Sequence, residues 1–389
     1  MDLKKKRILV TGGTGHLGSN LIHYLLKERQ VPPEHITVFV PRNGKTRAFK
    51  DIKEINFFWG DILEPLLIEE ACADQDLAWH VVGNTSFDPA KKRIQWLVNV
   101  EGTLNFLNAC LKSPKLEKIV YTSTVNVLGA PDPVGSLGDE NTSPYKPKTR
   151  SIHSFKSKEQ VLRFIDQVHS HKKSKAWVKK IGVGYFDSKL AAQEIVQQFH
   201  EEHDLPVVST LPGTFFGPMD HFIGNGIYIL RVFQGKIPVF VKTGFPLTHV
   251  RDVVRGQILA MEKGKPGEKY IINGKTEDNK YMGEMLDCIA DIISNCEPER
   301  EIKRGWKRVP YWLAMFGATI SEAYARLTKS PCLLSKATVR ASKIISFYSH
   351  KKAENNLNYR PEHSFEDAVL DHYLYYKEND MLTIKHRTG

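Results

Sequence analysis

Short apolar runs alternate with amphipathic stretches through the first third of the chain. Arg7–Thr11, Ile36–Val40, Ile55–Trp59, Ala78–Val82 and Lys118–Ser123 are rich in β-branched and aromatic residues and read as strands. Leu17–Lys27 and Val98–Leu111 carry apolar residues at helical spacing. Strand–helix–strand alternation predicts a parallel sheet covered by helices on both faces. The pattern resumes later, with a helix over Phe186–His203, a strand over Val207–Thr210, a helix over Thr248–Lys263 and a strand over Lys269–Asn273. Between them Pro212–Val241, rich in Gly, Pro and aromatics, reads as a substrate-side loop region. From Lys275 onward the pattern is mostly helical, including Tyr281–Ser294 and Tyr311–Leu327.

At 389 residues the chain is long for one core, so a main domain with a second lobe is expected. The division expected is residues 1–210 for the sheet domain, its sheet completed by 246–275, with 211–245 and 276–389 forming the smaller lobe. Five scattered cysteines form no CxxC or Cys/His cluster. No disulfide framework or metal site is expected, and a reducing compartment, the cytoplasm, fits best. The basic start Met1–Arg7 is followed by too short an apolar run for a signal peptide. Val309–Leu327 is the most membrane-like segment, but Glu322 and Arg326 mark it as an amphipathic surface helix, with membrane contact as the alternative.

The net charge of +11 is uneven. Between Lys146 and Lys180 eleven Lys/Arg stand against Glu159 and Asp166. This basic insert, about 145–182, carries a helical apolar stripe over Ser157–Ser170. It reads as a solvated excursion, or else as a lid for an anionic substrate portion or a membrane or partner contact; His169 and His171 in it read as exposed side chains, not metal ligands. The rest of the chain is nearly neutral and has no nucleic-acid motif, so nucleic acid is not an expected partner.

Candidate chemistry begins where the first strand meets the first helix. Thr11-Gly12-Gly13-Thr14-Gly15-His16-Leu17-Gly18 spaces three glycines for a tight turn, a close backbone approach to phosphate and close helix–strand packing. The helix start there favours an anion. Dinucleotide binding is the expectation. The second strand ends at Val40-Pro41-Arg42-Asn43, without the acid that would hold a ribose 2′-hydroxyl. Arg42, with Lys45 or Arg47, suits a 2′-phosphate instead, which favours NADP(H) and leaves NAD(H) open. Tyr185 and Lys189 lie four apart on one predicted helical face, an arrangement suited to passing a proton to or from an alcohol oxygen. Thr124, just beyond the carboxyl end of a strand, is placed to bond that oxygen, and Ser123 can exchange roles with it.

Taken in order, these segments resemble the extended short-chain dehydrogenase/reductase family, NAD-dependent epimerase/dehydratase type. The resemblance is nearest the group of dihydroflavonol 4-reductases, 3-beta-hydroxysteroid dehydrogenases and hopanoid-associated epimerase-like proteins. It rests on the glycine turn, Gly60-Asp61-Ile62, Trp79-His80-Val81-Val82-Gly83, Asn99-Val100-Glu101-Gly102-Thr103-Leu104-Asn105, Asp139-Glu140, Tyr185 with Lys189, Leu211-Pro212-Gly213, Gly217-Pro218 and His249–Val253. It runs from about residue 6 to 275, and more loosely to 370.

The resemblance implies an α/β, Rossmann-type doubly wound parallel sheet with a smaller, mostly helical C-terminal substrate lobe. It implies a catalytic set of Thr124, Tyr185 and Lys189. Cofactor contacts are implied at Gly12, Thr14, Gly15, His16, Leu17, Gly18, Arg42, Asp61, Ile62, Val82, Gly83, Asn99, Thr122, Tyr185, Lys189, Pro212, Gly213 and Thr214. The activity implied is oxidation and reduction of an alcohol/ketone on a bulky flavonoid-, sterol- or lipid-like small molecule. The alternatives are a nucleotide-sugar epimerase or dehydratase that retains NAD, and a non-catalytic cofactor-binding regulator. Such enzymes often form homodimers through two long helices, here 99–111 and 186–203. The chain departs from the family at Gly83-Asn84-Thr85, where alanines are usual, and in the 61 positions from Thr124 to Tyr185, lengthened by the basic insert.

Overall fold

The computed structural model of the chain describes residues 1–88, 91–142, 184–237, 239–328, 332 and 334–383. The basic insert, with its helical stripe and its two histidines, lies outside the described residues.

The strands are β1 (Ile8–Thr11), β2 (Ile36–Val40), β3 (Asn56–Trp59), β4 (Leu77–His80), β5 (Lys118–Thr122), β6 (Val207–Pro212), β7 (Thr214–Phe216), β8 (Val239–Phe240), β9 (Gly244–His249), β10 (Lys269–Ile272), β11 (Asn279–Tyr281) and β12 (Lys307–Arg308). The α-helices are α1 (His16–Lys27), α2 (Pro65–Cys72), α3 (Lys92–Trp96), α4 (Gly102–Leu111), α5 (Gly184–His203), α6 (Ile227–Phe233), α7 (Val250–Lys263), α8 (Met282–Cys296), α9 (Tyr311–Thr328), α10 (Lys336–Ala341), α11 (Lys351–Leu357) and α12 (Phe365–Glu378).

Seven strands form one parallel sheet in the order β10-β6-β5-β4-β1-β2-β3. The order reverses between β1 and β4, and the crevice beyond their carboxyl ends is where ligands bind in such sheets. Successive side chains of a strand point to opposite faces. Leu9, Ile119, Tyr121 and Val207 therefore join one core with α2, α4 and α5. Ile8, Val10, Val120 and Val208 join a second core with α1 and α7. A third core joins α6, α8 and α12 in the smaller lobe. The helices expected to mediate dimerisation bury Phe106, Leu107, Ala191, Ile195 and Val196 within this chain's own core.

Several boundaries differ from the pattern-based reading. The helix expected from Val98 starts at Lys92 and passes through a wide π turn, Leu97–Glu101, before α4. The helix expected from Thr248 starts at Val250. Thr248 and His249 belong to β9 because they pair with Phe215 and Phe216 of β7, and His249 Nδ1 then accepts the Arg251 N–H at 2.9 Å as the helix cap. Pro212–Val241 is not one loop region: it contains β7, α6 and β8. Helix α2 was not expected; it begins on Pro65 at the first helical turn, where the missing N–H costs nothing.

Candidate active site

The glycine turn folds as its spacing requires. Gly12 has φ +73°, and a Cβ there would lie 2.6 Å from the Val82 nitrogen. The backbones after β1 and β4 thus close on each other at the point where strand order reverses. A Cβ on Gly18 would overlap the Gly12 carbonyl oxygen. At Gly15 the nearest atom is that same oxygen, 3.3 Å away, so the turn is open on this side. Helix α1 begins at His16 with no side-chain cap, so its first N–H groups are left to a ligand or solvent. These features fit a pyrophosphate cradle.

The predicted neighbours divide into two groups. Thr14 is buried in the turn, Leu17 packs into the second core, and Ile62 packs on Gly102. Val82 and Gly83 follow β4, and a Cβ on Gly83 would lie 3.4 Å from the Lys189 side chain. Gly213 joins β6 to β7 between Pro212 and Thr214, too close to Pro246 and Asn273 Oδ1 for any side chain. Asp61 is exposed and accepts the Leu63 N–H at 3.0 Å. Three other residues have protein partners of their own. His16 directs Nε2 at the Gly217 carbonyl (3.2 Å) and its ring at Phe215 and His372, towards the smaller lobe. Asn99 accepts from the Asn84 N–H (2.7 Å) and donates to Asn84 O and Ser188 Oγ (3.0 and 2.9 Å). It thereby ties the post-β4 segment to α5. Arg42 is not a free loop charge: its guanidinium donates to both oxygens of Glu64 at 3.2 Å.

The start of α5 brings the Tyr185 phenol into the neighbourhood of the Thr124 hydroxyl. Burial pushes the Tyr185 phenol up to about 12, and the nearby Thr124 hydroxyl opposes that rise. Thr124 Oγ1 accepts from the Asn126 backbone N–H (3.3 Å) and side chain (3.2 Å). Ser123 Oγ is buried with no hydrogen-bond partner among the described residues. Lys189 is buried, its ammonium donates to the Thr122 carbonyl at 2.9 Å, and desolvation pulls it down to about 8. Its anchor is therefore the end of β5.

Residues not expected from the sequence hold these groups still. Gln257 of α7 donates to Thr122 Oγ1 (3.2 Å) and Thr210 Oγ1 (2.7 Å), fixing the ends of β5 and β6. Gln95 donates to the carbonyls of Asn84 and Ser86, and the Phe87 ring lies edge-on to Tyr185, 6.0 Å between centroids. A lone Gln or Phe carries no spacing signal that could have marked them.

The strand order and the crevice built on the glycine turn define a Rossmann-type nucleotide-binding protein. The chain belongs to the NAD dependent epimerase/dehydratase family, whose model matches residues 8–157 and 167–273, and it is an enzyme of this type. It is 27% identical to "Putative dihydroflavonol 4-reductase" of Synechocystis over 368 residues, 93% of this chain and 92% of that protein. It is 25% identical to sterol-4-alpha-carboxylate 3-dehydrogenase, decarboxylating, of Candida albicans, over 95% of this chain and 97% of that one. Among solved structures, a dTDP-glucose 4,6-dehydratase from Streptomyces venezuelae with NAD bound superposes with TM-score 0.68 at 19% identity, covering 96% of this chain and 97% of that chain. The last likeness is one of fold.

Proposed function

We propose that the protein interconverts a secondary alcohol and a ketone on a bulky, largely apolar small molecule, using NADP(H). The observation that carries this reading is that α5 sets Tyr185 near the Thr124 hydroxyl, just beyond β5, one helical turn before buried Lys189, whose ammonium is held on the Thr122 carbonyl.

The backbone from Gly12 to Gly18 would hold the pyrophosphate, Arg42 a 2′-phosphate, and Gly83, Pro212–Thr214 and Lys189 the nicotinamide end. Bound nicotinamide supplies or accepts the hydride. The chain's own part is the proton. With its phenol pushed up to about 12, Tyr185 is protonated at neutral pH and so serves first as an acid towards a nascent alkoxide. Thr124 would bond the same oxygen, steadying charge as it develops. In the oxidative direction the phenol must lose its proton, so that rate rises with pH. Sheet domain 1–210 with 246–275 supplies the cofactor side, and 211–245 with 276–389 the substrate side. Phe87 beside Tyr185 gives the crevice an aromatic wall, and the names of the flavonoid and sterol relatives support a bulky substrate.

The test is to identify any copurifying cofactor and then follow NADPH and NADH oxidation with flavonoid-like ketones, sterol-like ketones and nucleotide sugars. Net NADPH consumption with a bulky ketone is expected. Tyr185→Phe should lower kcat by about 10²–10⁴-fold with cofactor affinity kept. Conversion of a nucleotide sugar without net cofactor turnover would overturn the reading in favour of a retained-NAD epimerase or dehydratase.

A further inference from the structure

Helix α9 presents an apolar face that nothing in the described chain covers. Trp312, Phe316, Ile320, Tyr324 and Leu327 recur every three to four residues and are 69, 62, 55, 62 and 86% exposed. At 100° per residue they fall on one side of the helix. The opposite side carries Ala314 and Ala318, buried against Val339 of α10. The helix's one acid, Glu322, is turned away from the stripe: it accepts the Lys336 N–H at 2.8 Å and pairs with Lys336 and Arg326. The exposed stripe thus carries no carboxylate.

Charge around the stripe is mostly positive. Between Arg300 and Lys343 ten Lys/Arg stand against Glu301 and Glu322. Lys307 and Arg308 form β12, which runs through Val309 and Pro310 straight into α9; both are exposed and have no ion pair among the described residues. Arg326 is exposed at the other end. Lys343 sits over the Tyr311 ring at 4.1 Å. Aromatic and aliphatic residues on one face, with cations at both ends, match a helix lying in a phospholipid interface. No described helix is long and apolar enough to cross a membrane, so the geometry is one of lying on the bilayer.

We propose that α9 docks the enzyme on a bilayer containing anionic phospholipids, with Trp312, Phe316, Ile320, Tyr324 and Leu327 entering the acyl boundary and Lys307, Arg308 and Arg326 meeting the headgroups. Docking here also reaches the candidate site. Ser335, which caps α10, donates to the Phe87 carbonyl at 3.1 Å, and Phe87 packs on Tyr185. On the reading of Tyr185 given under Proposed function, the crevice then takes its substrate from the lipid phase. The docking itself does not require that reading.

The test is flotation of the full-length protein with vesicles of phosphatidylcholine alone, or with roughly one-third phosphatidylglycerol, together with Trp emission. The expected result is flotation with the anionic vesicles and a blue shift, about tenfold weaker with neutral vesicles and reduced by salt. Phe316→Ser/Ile320→Ser should abolish flotation, and Lys307→Glu/Arg308→Glu should cut it about tenfold, with circular dichroism and thermal midpoint unchanged. No flotation of the wild type, or equal flotation of both variants, would overturn the proposal. So would a wild-type dimer in lipid-free buffer that Phe316→Ser/Ile320→Ser converts to monomer, which would assign the face to a second copy. These readouts are independent of activity, so failure of the proposed reaction would not be mistaken for failure of docking.

Discussion

Arg42 shows how a single residue can be legible in type and illegible in setting. Its place after β2 was readable, since β2 is a short, mostly apolar run followed by Pro41-Arg42. Its partner was not, because Glu64 lies 22 residues away and meets it only after β3 has paired with β2. The pair is exposed, so it contributes little to stability and is readily exchanged for a better anion. Glu64 is held by the Asp61 N–H first and by Arg42 second, both of which keep its carboxyl below the usual range. Arg42→Ala should therefore weaken NADPH binding by about tenfold or more, the loss of one charged hydrogen bond, and leave NADH binding nearly unchanged. Titration of both cofactors by fluorescence checks this, and equal loss for the two would remove Arg42 from the 2′-phosphate.

At the scale of elements, most sheet strands and long helices were legible because they bury a continuous apolar run or stripe of their own; β3 and α9 carry the same patterns but leave much of them exposed. The three-residue β7 and six-residue β9 were not legible. Gly244–His249 mixes Gly, Pro, Thr and His, and becomes a strand through pairing with β7 and β11. Likewise the π turn around Asn99, whose amide bonds Asn84 and Ser188, was not expected; wider turns of this kind leave no mark in an apolar pattern. The glycine turn was legible because its constraint is local. That constraint gives a sharp expectation: Gly18→Val would force α1 away from the turn by collision with the Gly12 carbonyl. Loss of dinucleotide binding with a lowered thermal midpoint is expected, at about 1–3 kcal/mol for the overpacking alone. Unchanged binding in that variant would mean that α1 does not need to close on the turn.

For the whole molecule, long-range polar contacts join the two lobes. Asp252 at the start of α7 accepts the backbone N–H groups of Glu362 and His363, and His363 Nδ1 besides, at 3.0–3.2 Å. His372 of α12 accepts the Gly217 N–H at 3.1 Å, packs on His16, and lies beside buried Asp220; burial pulls its imidazole down to about 3, so it is neutral. These contacts span more than a hundred residues, which is why the sequence showed a helical tail but not how it leans on the glycine turn. They also bring His372 of α12 and the segment around Gly217 against His16, where the glycine turn enters α1.

The central claim is that this crevice seats a dinucleotide with its reactive ring beside the Thr124–Tyr185 pair. A crystal structure of the full-length protein soaked with NADPH tests it most directly. The account predicts pyrophosphate on the backbone between Gly12 and Leu17, and the nicotinamide ring next to the Tyr185 hydroxyl and the Lys189 ammonium. A dinucleotide seated elsewhere, or a Tyr185 side chain turned out of the crevice when it binds, would contradict it.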